Sequence, residues 1–160
     1  MGILAEDMKR VVREQRLGYV ATVCPDGTPN LSPKGTTAVW DDDHLVFADI
    51  CSPGTIANLA KNPAVEINVV DPIARKGYRF KGSATVVTEG VLFERAMTYY
   101  RREHGLADGI AERIRHIVVV KITRALPLVS PVYDDGTTEG DVVRKWSAYY
   151  DTLRLNRSPR

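Results

Sequence analysis

LGYVATVCPDGTPNLSPKGTTAVWDDDHLVFADI, residues 17–50, reads as three strands in succession. Leu17–Cys24 is rich in β-branched and aromatic side chains, which suit a pleated, half-buried surface. Pro25-Asp26-Gly27 forms a turn, with Pro presetting φ and Gly tolerating positive φ. Asn30–Trp40 is a second extended run, Asp41-Asp42-Asp43 a polar turn, and His44–Ile50 a third strand. The pattern predicts an antiparallel meander.

Before this block, Ile3–Arg16 has helical spacing, with Leu4, Met8, Val11 and Val12 on one face. After it, Cys51-Ser52-Pro53-Gly54 interrupts the sheet. Thr55–Lys61 reads as a short helix stopped by Asn62-Pro63. Ala64–Val70 alternates as a fourth strand, and Asp71–Gly77 is a loop. Tyr78–Thr88 is a fifth strand, where Gly82 suggests a bulge or a close backbone approach. Val91–His104 is helical with Gly105 as its C-cap, and Ile110–Arg115 adds a turn of helix. His116–Ile122 is the sixth strand, running on toward Val129. A last helix spans about 138–153, opened by a capping box of Thr138 and Asp141. Asn156–Arg160 reads as a frayed tail. Six strands of this length close as a small barrel, which removes exposed edges. The expected fold is all-β: an antiparallel barrel with added helices.

The chain has 160 residues, the size of one domain (1–160). Hydrophobic residues make up 44% and charged residues 26%, ordinary for a globular protein and against disorder. A net charge of +2 gives no general attraction to nucleic acid or to an anionic membrane. No apolar run reaches the ~18 residues of a membrane span. Met1–Arg10 lacks the apolar core of a signal peptide, so a cytoplasmic location is expected. Cys24 and Cys51 have no zinc spacing and read as small buried hydrophobes.

His44, His104 and His116 share no metal spacing, and Asp41–Asp43 reads as a solvated turn, so no metal site is expected. There is no phosphate-cradling glycine loop, no nucleophile elbow and no carboxylate pair that names a hydrolase. No catalytic residue can be named. One region departs from plain strand chemistry. Asn30-Leu31-Ser32-Pro33-Lys34-Gly35 is polar and basic, and Ser52-Pro53-Gly54-Thr55 opens a helix. A helix start carries unpaired N–H groups and a positive dipole end. If the second and third strands pair, Lys34, Ser52 and Thr55 converge into a pocket for a monophosphate. Equally open on spacing alone, Thr55 merely caps the helix and Lys34 lies on the surface.

Three stretches carry a resemblance. They are Pro29–Lys34, Leu45–Asp49, and the run from Ser52 to Val65 that contains Thr55-Ile56-Ala57-Asn58-Leu59-Ala60-Lys61-Asn62-Pro63. With Gly77-Tyr78-Arg79-Phe80-Lys81-Gly82-Ser83-Ala84, the chain resembles the FMN-binding split-barrel proteins related to pyridoxamine 5′-phosphate oxidase over about residues 5–125. That resemblance implies a six-stranded split barrel and a homodimer with FMN at the interface. It implies that Ser32, Pro33, Lys34 and Gly35 line the flavin, with Ala48, Asp49 and Ile50 on the next strand. Ser52, Thr55 and Asn58 would hold the phosphate end, and Trp146 on the last helix would reach the partner's flavin. One departure stands out: Gly54-Thr55 occupies the place of a basic pair, so Lys34, Arg75 or Arg79 would have to supply the charge. Deazaflavin and haem are the alternative cofactors. The implied function is an FMN-dependent oxidoreductase acting on a small molecule. The alternatives are a non-enzymatic flavin carrier or electron-transfer protein, and a dimeric barrel that has lost its cofactor.

Overall fold

The computed structural model describes residues 2–156. The tail expected at 156–160 lies, from residue 157 on, outside them. Helix α1 (Glu6–Gln15) precedes the hairpin β1 (Gly18–Val23) and β2 (Pro29–Lys34); β3 (Ala38–Val39) and β4 (His44–Asp49) follow. Helix α2 (Pro53–Lys61) then leads to the long pair β5 (Ala64–Asp71) and β6 (Lys76–Val87). Helices α3 (Val91–Arg102) and α4 (Asp108–Ala111) precede β7 (His116–Val129), and α5 (Glu139–Leu155) ends the described chain.

All strand pairs are antiparallel, in the order β2-β1-β5-β6-β7-β4-β3. The two edge strands, β2 and β3, are joined by Gly35–Thr37 alone. A flat sheet of this order would separate its edges by six strand spacings, about 29 Å. The link from Lys34 to Ala38 spans at most about 15 Å. The sheet therefore curls into a split barrel, as the sequence led us to expect.

The strand count and the first pairing differ from expectation. The run Asn30–Trp40 is divided at Gly35–Thr37 into two strands at opposite edges, giving seven strands rather than six. Only Ala38 and Val39 pair with β4, so there is no simple meander. The division is fixed from outside the run. Thr36 Oγ1 donates to the Ala48 carbonyl and accepts the Ala48 N–H, both at 3.0 Å. Tyr100 Oη donates to the Thr36 carbonyl at 2.8 Å. Gly82 lies where the β6–β7 register shifts, and a Cβ there would meet the Lys121 carbonyl at 2.2 Å.

The core has two parts. Val20, Leu45, Phe47, Ile67, Phe80, Val118 and Val120 fill the barrel, with Val12 of α1 and Leu59 of α2 against them. Val46, Ala48, Ile117 and Val119 point the other way, onto Ala96, Met97 and Tyr100 of α3. Strands β4 and β7 are thus buried on both faces, which explains their unbroken apolar runs. The Asp41–Asp43 turn is more than solvated. Asp42 accepts from buried Lys9 at 2.7 Å, and Asp43 from the Ile3 N–H at 2.8 Å, pinning α1 to the barrel. Thr138 caps α5 as expected, its hydroxyl oxygen accepting the Asp141 N–H. Of the two cysteines, Cys51 is exposed, because it precedes α2 on the surface rather than packing in the core. No helix among the described residues is long and apolar enough to cross a membrane.

Candidate cofactor site

Alternation on β2 turns Asn30, Ser32 and Lys34 to one face and leaves Leu31 and Pro33 outward. The curl of the sheet then brings the start of α2 across from them. The Lys34 ammonium donates to Ser32 Oγ at 2.6 Å and to Ser52 Oγ. Lys34 is 5% exposed, which excludes a surface lysine. Burial pushes its pKa below the ordinary 10.5, and the nearby Asp49 carboxylate pulls the other way. Each serine oxygen accepts from Lys34, so each hydroxyl hydrogen is left to donate to another acceptor. One of the three ammonium hydrogens also remains for a ligand.

Helix α2 starts at Pro53, with Ser52 at the N-cap and no side-chain cap. Thr55 therefore does not cap the helix. It is buried in the first turn, with Asn30 Nδ2 at 3.5 Å from its hydroxyl. Ile56 N–H closes the first turn onto the Ser52 carbonyl, so the Gly54 and Thr55 amides precede the helical ladder. A Cβ at Gly54 or at Gly35 would meet nothing within 4 Å, so the space over this turn is open. Lys34, the two serine hydroxyls and the two amides are groups of the kind that can hold a monophosphate. The residues present fit the phosphate end of FMN. The basic pair lost at Gly54-Thr55 is not restored by the arginines considered above. Arg75 lies over Trp146 at 4.3 Å, and Arg79 pairs with Glu66 at 3.1 Å.

The other expected residues fall into three groups. Asn58 is buried and supports the site from behind, donating to Thr22 Oγ1 at 3.1 Å, where Asn30 also donates. Asp49 is buried, with Oδ1 accepting the Ser52 N–H at 2.8 Å; Ala48 anchors Thr36, and Ile50 is half-buried beside them. Trp146 contacts Arg75, Tyr149 and Tyr150, none of them a residue of this cluster. One residue was missed. His116 Nδ1 lies 3.0 Å from Asp49 Oδ2, because the β4–β7 register sets the two residues opposite each other. No group of three or more metal-ligating side chains is present among the described residues.

A curled antiparallel sheet with added helices, carrying a buried lysine among serine hydroxyls, defines a split-barrel protein. The sequence matches the family described as pyridoxamine 5′-phosphate oxidase over residues 4–128, and the chain belongs to that family. Among solved structures it is similar to HupZ of Group A Streptococcus, at 29% identity and TM-score 0.69, covering 79% of this chain and 94% of that one. It is also similar to an F420 reductase, at 26% identity and TM-score 0.59, covering 76% and 98%. An FMN-binding protein from Syntrophomonas wolfei shares the fold at 18% identity and TM-score 0.64, covering 79% and 87%. HutZ, the haem storage protein from Vibrio cholerae, shares it at 21% identity and TM-score 0.58, covering 81% and 95%. The fold thus serves flavin, deazaflavin and haem proteins. No curated protein matches the chain in sequence.

Proposed function

We propose that the protein binds FMN through the Lys34 cradle and acts as a flavin-dependent oxidoreductase on a small molecule. The observation that carries this reading is the convergence of Lys34, Ser32 and Ser52 with the first amides of α2, a donor set matched to a terminal phosphate. Riboflavin and haem carry no phosphate to use it. When bound, the flavin supplies the redox chemistry, and the protein supplies binding, orientation and field. The turn Gly35–Thr37 would orient the ligand, because Thr36 and Tyr100 hold it rigidly.

The same reading places the site between two copies of the chain. The barrel interior is filled by its own side chains, leaving a tricyclic ring no room there. Tyr19, Val23, Leu31 and Val70 are exposed on the outer face of β2, β1 and β5. An apolar strip of this kind marks an interaction surface. The F420 reductase similarity favours deazaflavin as the second reading.

The visible spectrum of the purified protein, followed by turnover with NAD(P)H and an electron acceptor, tests the proposal. A flavin band with turnover supports it. A flavin band without turnover leaves the carrier reading. A deazaflavin or haem spectrum, or no chromophore and no uptake of added FMN, overturns it.

A further inference from the structure

A second constellation adjoins the cradle. A cleft of about 680 Å³ lies between the start of α2 and the turn from α4 into β7, a size typical of ligand pockets. Its walls include Ile50, Ile56, Arg113, Arg115 and His116, and Ser52 is shared with the Lys34 cluster. His116 is half-buried, and its Nδ1 faces the Asp49 carboxylate at 3.0 Å. That carboxylate is 5% exposed, and its other oxygen holds the Ser52 N–H. Asp49 therefore fixes the imidazole tautomer, with the hydrogen on Nδ1 and a lone pair on Nε2. The Arg115 N–H donates to the Asp49 carbonyl at 3.2 Å, which ties the arginine-bearing turn to the same strand end. Among the described residues, neither Arg113 nor Arg115 has a carboxylate within ion-pair distance.

We propose that this cleft is the substrate side of the cofactor site. It takes a small molecule bearing a carboxylate or phosphate, with Arg113 and Arg115 meeting the charge and His116 taking up a proton at its free Nε2 when the anion binds. The proposal rests on the cofactor reading above and adds the substrate class and the ionisable group. The titratable and charged groups that share the cleft with His116 are Asp49 from β4, Cys51 from the α2 start, and Glu112, Arg113 and Arg115 from the α4 turn; Lys34 lies behind Ser52. The cleft holds two carboxylates, Asp49 and Glu112; once His116 is protonated against Asp49, Glu112 alone opposes an anion and the two arginines outweigh it. By linkage, an anion in the cleft raises the pH at which His116 titrates. The affinity for that anion in turn falls as pH rises through that range.

The test follows the His116 ring signals by NMR against pH, assigned by their loss in His116→Gln, with and without inorganic phosphate or acetate. Lys34→Met and the double variant Arg113→Ala/Arg115→Ala are run beside the unaltered chain, with backbone dispersion as the check on folding. Both anions should move the His116 titration to higher pH by about one unit in the unaltered chain. They should do so equally in Lys34→Met and not at all in the arginine variant. No response in the unaltered chain overturns the proposal. A response lost in Lys34→Met overturns it, because the anion then sits in the cradle, and a response kept in the arginine variant overturns it, because the arginines then do not hold the anion. Failure of the cofactor reading looks different: FMN does not bind while His116 still answers to the anions.

Discussion

Replacing Lys34 with Met removes the one charged donor of the cradle while keeping the length of the side chain. Two of the three ammonium hydrogens are engaged by Ser32 and Ser52, so one charge-assisted contact to a phosphate is at stake. Such a contact is worth about 1.5–3 kcal/mol, and the dissociation constant for FMN should rise by about 10- to 150-fold. Folding should suffer little, because burial already disfavours the ammonium at this site. The cofactor-free variant is expected to melt within about 2–4 °C of the parent, the equivalent of ~1 kcal/mol at this chain length. The sign of the pH dependence follows from the same burial. The ammonium is the form that holds a phosphate, and its pKa lies below 10.5 in the free protein. FMN affinity should therefore decline as pH rises through that lowered range, and the decline should vanish in Lys34→Met. Flavin fluorescence titrations at several pH values measure both effects. An unchanged dissociation constant would show that Lys34 does not meet the ligand, and the phosphate site would fall with it.

Other outcomes follow from the same structure. Burial, and then Arg16, lower the pKa of His104 below 6.5, so the unfolded chain takes up a proton that the folded one resists. Stability should fall as pH drops through 6.5 toward the folded value, and His104→Phe, which keeps the contacts to Tyr99 and Tyr100, should flatten that slope in urea titrations. Gly82→Ala should cost about 1–3 kcal/mol in thermal unfolding, since the new methyl meets the Lys121 carbonyl; a neutral result would mean β7 can shift. Leu31→Glu with Tyr19→Glu should give a monomer in sedimentation and release flavin on dilution. A dimer that keeps its flavin would move the interface elsewhere.

The features legible in the sequence are those set by near neighbours. The β1–β2 hairpin, the bulge at Gly82 and the cap at Thr138 each depend on a few adjacent residues. Lys34 and Ser52 do converge, but not by the pairing of the second and third strands that the sequence suggested: β2 and β4 do not pair, and the curl of the sheet brings edge strand β2 to the end of β4, where α2 starts. What stayed hidden depends on distant partners. Nothing within Asn30–Trp40 announces the break at Thr36; Ala48 and Tyr100 impose it. His116 looked like any strand residue until the β4–β7 register set it opposite Asp49. The signal was present as an acidic residue closing one strand and a histidine opening another, but only a pairing of those strands gives it meaning. Arg75 and Arg79 were candidates by charge alone, and Trp146 and Glu66 claim them.

The central claim is that the cradle recognises a phosphate, and paired titrations of the same purified protein with FMN and riboflavin test it most directly. Two ligands sharing one ring system differ only at the group in question. With Lys34 and the α2 amides engaged, FMN should bind at least about tenfold more tightly, the equivalent of one charge-assisted contact. Equal affinity for the two would contradict the account.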